Sequence, residues 1–215
     1  VPFSMSVMPM SYELMIRGGR IVEGTGNPWY RADLAISDGR VAAIGRLLKA
    51  EADRVIDADG LIVGPGFVDA HSHADMTSVL YREMENAMMQ GITTLVAGMC
   101  GSSPAPINPD MREEIEKSAI ASLPPGIEFK LTWTTFDEYL MEEEKGGLGA
   151  NVAHLVGHGA IRVAAMGYDA RDPKPSELRR MKELTAEAME AGAYGLSPGL
   201  IYPPGIFAKT EEIVK

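Results

Sequence analysis

Phe67-Val68-Asp69-Ala70-His71-Ser72-His73 decides how the chain is read. Four residues of strand-like composition run directly into two histidines spaced by one. In an extended segment, residues two apart point to the same side, so both imidazoles can approach one metal ion. The alternative at this point is a pair of exposed loop histidines. The position favours the first, because barrel enzymes build their sites at the carboxyl ends of strands.

Working forward from His73, strand and helix signals alternate. A helix-like run over 77–90 stops at Gly91, and a β-branched strand over 92–97 leads to Met99-Cys100-Gly101. A polar insertion over 102–149 carries two helices, the second with Thr135 and Glu138 spaced as a capping box. A third strand spans 151–156. Ser176 is placed to cap the next helix, where Leu178, Met181, Leu184, Ala188 and Ala191 share one face before Gly192 ends it. A fourth strand over 193–197 follows, and Thr210-Glu211-Glu212 opens another helix. Such alternation predicts parallel strands covered by helices. Four units are too few to close an eightfold barrel, which takes about 250 residues, so a C-terminal half is expected beyond Lys215.

Working backward from Gly64-Pro65-Gly66, the texture is short strands and turns. Asp38-Gly39 is a strong hairpin signal, since both residues tolerate the positive φ of a tight turn. Gly18-Gly19 reads as a second hairpin-like turn, and Asp59-Gly60 separates two further strands. These strands are too few and short for a core of their own, so they are expected to pair with sequence from elsewhere. Residues 1–10 have no basic start and no continuous apolar run, which makes a poor signal peptide. They read as a leader or cloning remnant, with Met10 a candidate native start.

The formal charge of −10 argues against nucleic acid and against an anionic membrane surface as partners. No stretch approaches the roughly 20 apolar residues that span a bilayer. A single cysteine in 215 residues makes no internal disulfide and suits a reducing cytoplasm.

The run from Gly60 to His73, Gly60-Leu61-Ile62-Val63-Gly64-Pro65-Gly66 followed by the opening heptapeptide, resembles the signature of the metal-dependent amidohydrolase superfamily. Residues 15–22 and 37–45 resemble its small β domain. Residues 90–102, with Cys100, are similar to the N-acyl-D-amino-acid deacylase (D-aminoacylase) family, where a cysteine at this place is a metal ligand. Related enzymes use a carboxylated lysine or a glutamate instead. The likeness continues through Gly157-His158 and through Gly199-Leu200-Ile201-Tyr202-Pro203-Pro204. It covers nearly everything from Tyr12 onward except the insertion at about 106–149. Met99 departs from the family's usual Asn.

The resemblance implies an α/β fold: a partial (β/α)8 TIM-type barrel, about the first four strands, preceded by a small β-sandwich domain. The N-terminal β domain would span 11–64 and the first half of the barrel 65–215. It implies a zinc-dependent hydrolase that cleaves the amide bond of N-acyl-D-amino acids to a carboxylate and a free amino acid. His71, His73 and Cys100 would bind one or two zinc ions, a thiolate being soft enough to bridge two. The general acid/base aspartate and the remaining ligands would lie beyond Lys215. Asp75 is either a support or substrate contact or an exposed loop residue. His158 is either a site residue facing the same mouth or a structural histidine. Tyr202 either bonds the substrate or packs on Pro203 and Pro204, and His154 reads as a core histidine. The expected partner is a small N-acyl amino acid, and an oligomer is compatible with the sequence. Two other readings are a cyclic-amide hydrolase of the hydantoinase or dihydroorotase type, against which Cys100 discriminates, and a non-catalytic scaffold that has lost its metal.

Overall fold

The structure is a computed structural model that describes residues 11–121 and 123–215. The leader reading of residues 1–10 lies outside the described residues. Two compact units divide between Pro65 and Gly66.

The first unit is one mixed sheet of β1 (Ser11–Ile21), β2 (Tyr30–Ser37), β3 (Arg40–Gly45), β4 (Glu51–Asp57) and β5 (Ile62–Val63). Its order is β3-β2-β1-β4, with β5 also paired to β1. The Asp38-Gly39 hairpin forms, with φ of 52° and 67° at its two turn residues. The turn read at Gly18-Gly19 does not. β1 runs through it, and its register against β2 shifts between Ile16 and Gly19. The glycines serve a bulge: Gly18 takes φ 72° and donates its N–H to Asp33 Oδ1 at 2.9 Å. At Gly19 a Cβ would lie 2.5 Å from Val63 Cγ2. Strands on both flanks of β1 hold it straight, so the local turn preference loses. One face buries Tyr12, Met15 and Ala35, while Val41, Val55 and Ile62 remain 50–70% exposed. The described residues of this unit form a single sheet layer.

In the second unit, β6 (Phe67–Asp69), β7 (Ile92–Ala97) and β8 (Asn151–His154) pair in parallel in that order, and β9 (Val156–Gly157) pairs in parallel with β10 (Leu196–Ser197). The third strand is split at Leu155 and the fourth is short. Leu155 N–H still bonds Ala97 O at 2.9 Å, and Tyr194 N–H bonds His154 O at 2.8 Å. Four strand segments thus lie side by side in chain order.

The helices are α1 (Glu85–Met88), α2 (Arg112–Ala121), α3 (Phe136–Glu144), α4 (His158–Met166), α5 (Pro175–Ala191) and α6 (Thr210–Val214). The Thr135–Glu138 capping box forms at α3, with both bonds at 3.1 Å. Met181, Leu184 and Ala188 of α5 are buried as the periodicity requires, and Gly192 ends the helix at φ 118°. Two expectations fail. α5 begins at Pro175, not at a Ser176 cap, because proline needs no N–H partner at the first position and Glu177 Oε2 takes the Lys174 N–H at 2.7 Å. The run 77–90 is broken into turns, with Met84 left-handed at φ 47° and only α1 remaining. Its side chains are drawn to α3: Ser78 Oγ lies 3.3 Å from Tyr139 Oη, and Arg82 donates to Glu143 O at 2.8 Å and Glu142 O at 3.1 Å. Among the described residues no helix is long and apolar enough to cross a membrane.

Candidate metal centre

Past Asp69 the chain stays tied to its neighbours. Asp69 Oδ1 accepts the His71 N–H at 3.1 Å, and Ser72 N–H bonds Val96 O at 2.9 Å. His71 and His73 therefore flank a fixed Ser72, with ring centroids 5.6 Å apart. Cys100 stands three residues beyond the end of β7 and holds a left-handed φ of 57°. Its Sγ is 3.4 Å from His71 Nε2. One donor atom from each of His71, His73 and Cys100 lies within 4.8 Å of the others. Ligand atoms on a tetrahedral zinc, with bonds of roughly 2.0–2.3 Å, stand about 3.3–3.6 Å apart. Small rotations of exposed imidazoles close that difference, and a soft N,N,S donor set suits zinc. The residues fit the ion.

Glycines put the thiol there. A Cβ at Gly98 would meet Leu155 O at 1.9 Å, one at Gly101 would meet Gly199 N at 2.6 Å, and one at Gly199 would meet Cys100 O at 1.8 Å. The Cys100 loop and the loop after β10 cross backbone to backbone. Ser197 Oγ joins them, accepting from Gly101 N–H at 3.1 Å and donating to Gly98 O. Sequence reasoning did not single out Gly98, Gly101, Ser197 or Gly199 for this role. The glycines bracketing Met99-Cys100 were the visible signal. Met99 contributes its carbonyl to Ser102 N–H at 3.0 Å, a bond any residue can make.

The other candidates separate. Asp75 is not an exposed loop residue: it is 1% exposed, and neither carboxylate oxygen has a hydrogen-bond partner. Burial pushes its pKa up to about 6 against the pull of His154 and His73. His154 is a core histidine, its Nε2 2.5 Å from Glu143 Oε2. Tyr139 Oη donates to Glu143 Oε1 at 2.7 Å, and Ser78 Oγ donates to the same oxygen. Burial works to raise the Glu143 pKa, yet the hydrogen bond from His154, its charge, and the two hydroxyls hold it below the usual range. His158 turns to α6, with Nε2 2.9 Å from Glu212 Oε1, and burial lowers its pKa. Fully buried Arg162 holds the same glutamate through Nη1 at 2.7 and 2.6 Å. Nothing in the sequence marked Arg162, a lone arginine in an apolar helix.

Tyr202 lines a cavity of about 420 Å³ together with His73 and Cys100, and is itself half exposed. The structure thus gathers His71, His73 and Cys100 at one rim with Tyr202 beside the same space. It buries Asp75 behind that rim and engages His158 elsewhere.

The Amidohydrolase family model matches residues 54–211, and the chain belongs to that family. Within it, the chain is 37% identical over 96% of its length to N-acyl-D-aspartate deacylase of Alcaligenes xylosoxydans xylosoxydans. It is 39% identical, again over 96%, to N-acyl-D-glutamate deacylase of the same organism. The crystal structure of N-acyl-D-glutamate deacylase from Bordetella bronchiseptica, complexed with zinc and a phosphonate inhibitor, superposes over 94% of the chain with a TM-score of 0.81 at 38% identity. A crystal structure of D-aminoacylase gives 0.82 at 33%. The chain spans about two fifths of the length of these relatives, 40% and 41% of the two sequences and 41% and 42% of the two structures.

Proposed function

We propose that the protein carrying this chain is a zinc-dependent deacylase that hydrolyses the amide bond of N-acyl-D-amino acids. In this reading residues 11–64 are part of a composite β-sandwich, and residues 65–215 are the first half of a (β/α)8 barrel with an insertion at about 106–149. The observation that carries it is the convergence of Cys100 with His71 and His73, in a chain similar to deacylases over nearly all its length.

His71, His73 and Cys100 would hold one or two zinc ions. Zinc there would supply Lewis acidity, polarising an amide carbonyl and making water nucleophilic near neutral pH. In the reaction the hydroxyl of water stays on the acyl carbon, the C–N bond breaks, and the proton passes to the departing amine. Tyr202, on the cavity wall, would donate a hydrogen bond to the acyl or carboxylate oxygen. Asp75, buried two residues after His73, would support that ligand through its charge. The general acid/base aspartate and the further ligands would come from outside the stretch this chain spans, and the 215 residues alone are expected to be inactive. A metal-binding thiol also fits a reducing cytoplasm.

The test uses the complete protein loaded with zinc. Release of free amino acid from N-acetyl-D-amino acids, with the L-enantiomers much slower, is the expected result. Hydrolysis of cyclic amides alone, or failure to retain zinc, would overturn the reading.

A further inference from the structure

The cavity beside the candidate ligands has a one-sided chemistry. Of the residues that line it, His73 is the one with an ionisable nitrogen, and none is Lys, Arg, Asp or Glu. Its lining includes the apolar side chains of Ile107, Ile115, Phe129, Leu131, Trp133 and Val163, together with hydroxyls from three serines and two tyrosines. The far wall comes from the insertion and is held stiffly. Arg112 of α2 donates through Nη1 to Leu131 O at 2.8 Å and to Trp133 O at 2.9 Å. Glu116 on the same helix accepts the Leu131 N–H at 3.2 Å, and Trp133 Nε1 donates to Pro104 O at 2.9 Å. These bonds fix the backbone so that the aromatic and aliphatic side chains form a standing wall.

An N-acyl amino acid has two ends. The amino-acid end carries a carboxylate beside the amide, and burying that charge without a cation is costly. The acyl end is uncharged. An acetyl methyl would leave most of about 420 Å³ empty, whereas volumes of about 300–1,000 Å³ hold ligands of drug size. An apolar wall left facing water forgoes the gain of burial.

We propose that this cavity is an acyl-chain subsite, and that the protein acts preferentially on N-acyl amino acids whose acyl group is an aliphatic chain of about four to eight carbons or an aryl-substituted equivalent, rather than acetyl. The inference rests on the deacylase reading for its chemistry and on the cavity wall for its selectivity. On this proposal the acyl group enters the pocket while the α-carboxylate stays outside it, and residues of the insertion select the acid that is released.

The complete zinc-loaded protein is assayed with N-acetyl, N-butanoyl, N-hexanoyl and N-octanoyl derivatives of one D-amino acid. Burial of each methylene predicts a rise in kcat/KM of about fourfold until the cavity is full. Ala119→Phe, which fills the α2 side of the cavity, lowers the hexanoyl-to-acetyl ratio by about tenfold or more, and Ile115→Ala moves the optimum to longer chains. Active protein with a flat or falling series overturns the proposal. Should no N-acyl-D-amino acid be cleaved, the deacylase reading fails separately, and calorimetric binding of acetate, butanoate, hexanoate and octanoate judges the cavity. Affinity that climbs with chain length and is blunted by Ala119→Phe supports the subsite. Affinity indifferent to length overturns it.

Discussion

The rim of the second unit and its interior each hold two of the chain's four histidines, and the fold treats the two pairs in opposite ways. His71 and His73 are exposed, and the ring Nε2 of His71 faces the thiol of Cys100 at 3.4 Å. His154 and His158 are 5% and 3% exposed, and each gives Nε2 to a buried glutamate, Glu143 on α3 and Glu212 on α6. Each of these rings is thus spent on an interior contact and does not face the rim. The interior pair fastens the insertion and the last helix to the sheet, and the rim pair is left free to bind. Histidine type alone predicts neither role; the partner each ring meets decides it.

Breaking the rim should abolish chemistry and spare folding. Cys100→Ser in the complete protein is expected to lose at least about a thousandfold in kcat/KM, since losing the ion returns water's pKa from about 7 toward 15.7. Zinc per chain should fall with it while the urea midpoint moves little. Wild-type turnover with full zinc would remove Cys100 from the ligand set. Breaking the interior should do the reverse. Glu143→Ala strands the buried His154 ring and takes one partner from the Tyr139 hydroxyl, at a cost of about 3–5 kcal/mol in unfolding free energy. Glu143→Gln keeps an acceptor and should cost less. An unchanged midpoint for Glu143→Ala would mean the network carries no load.

The contrast was only half legible in the sequence. His-x-His after a strand is a local pattern, and period two on an extended backbone makes its geometry readable without coordinates. The Asp38-Gly39 turn, the Thr135–Glu138 box and the apolar stripe of α5 are local in the same sense, and the structure has all three. What failed was decided at long range. Gly18-Gly19 became a bulge because β2 and β4 pair on either side of it. The helix signal over 77–90 gave way because Ser78 and Arg82 answer to α3, some 60 residues later. For His158 the sequence leaves the rim role and the structural role both open, because nothing near it announces Glu212, 54 residues on. Asp75 lies next to a readable motif, yet its burial depends on Tyr139, whose hydroxyl reaches Asp75 O at 3.0 Å.

Between rim and interior lies the backbone crossing that presents Cys100. Gly199→Ala would place a methyl 1.8 Å from Cys100 O, and that atom is backbone, which cannot swing aside. An overpacking cost of about 1–3 kcal/mol is expected, together with weaker zinc binding, because the displaced loop carries the thiol. Zinc titration of the variant checks this. Loss of stability with zinc affinity unchanged would show that Cys100 keeps its place without the crossing.

A carboxylate at the surface provides the smallest effect and a control for Glu143. Glu177 takes two bonds from Arg171, at 2.6 and 2.7 Å, and one from Lys174 N–H at 2.7 Å. The Arg171 hydrogen bonds come first among the causes that lower its pKa to about 2. A carboxylate with a depressed folded pKa stabilises above its unfolded value of 4.5 and loses that contribution as pH falls toward 2. Surface pairs of this kind contribute under about 1 kcal/mol. Glu177→Gln should therefore be slightly less stable than wild type near neutral pH, and the gap should narrow as urea denaturation is repeated from about pH 5 down to 3. Glu143→Gln is measured alongside it, since buried Glu143 is also held below the usual carboxylate range. A larger loss at Glu143 than at Glu177 is the mark of interior against surface; equal losses would erase the distinction on which the two histidine pairs were told apart.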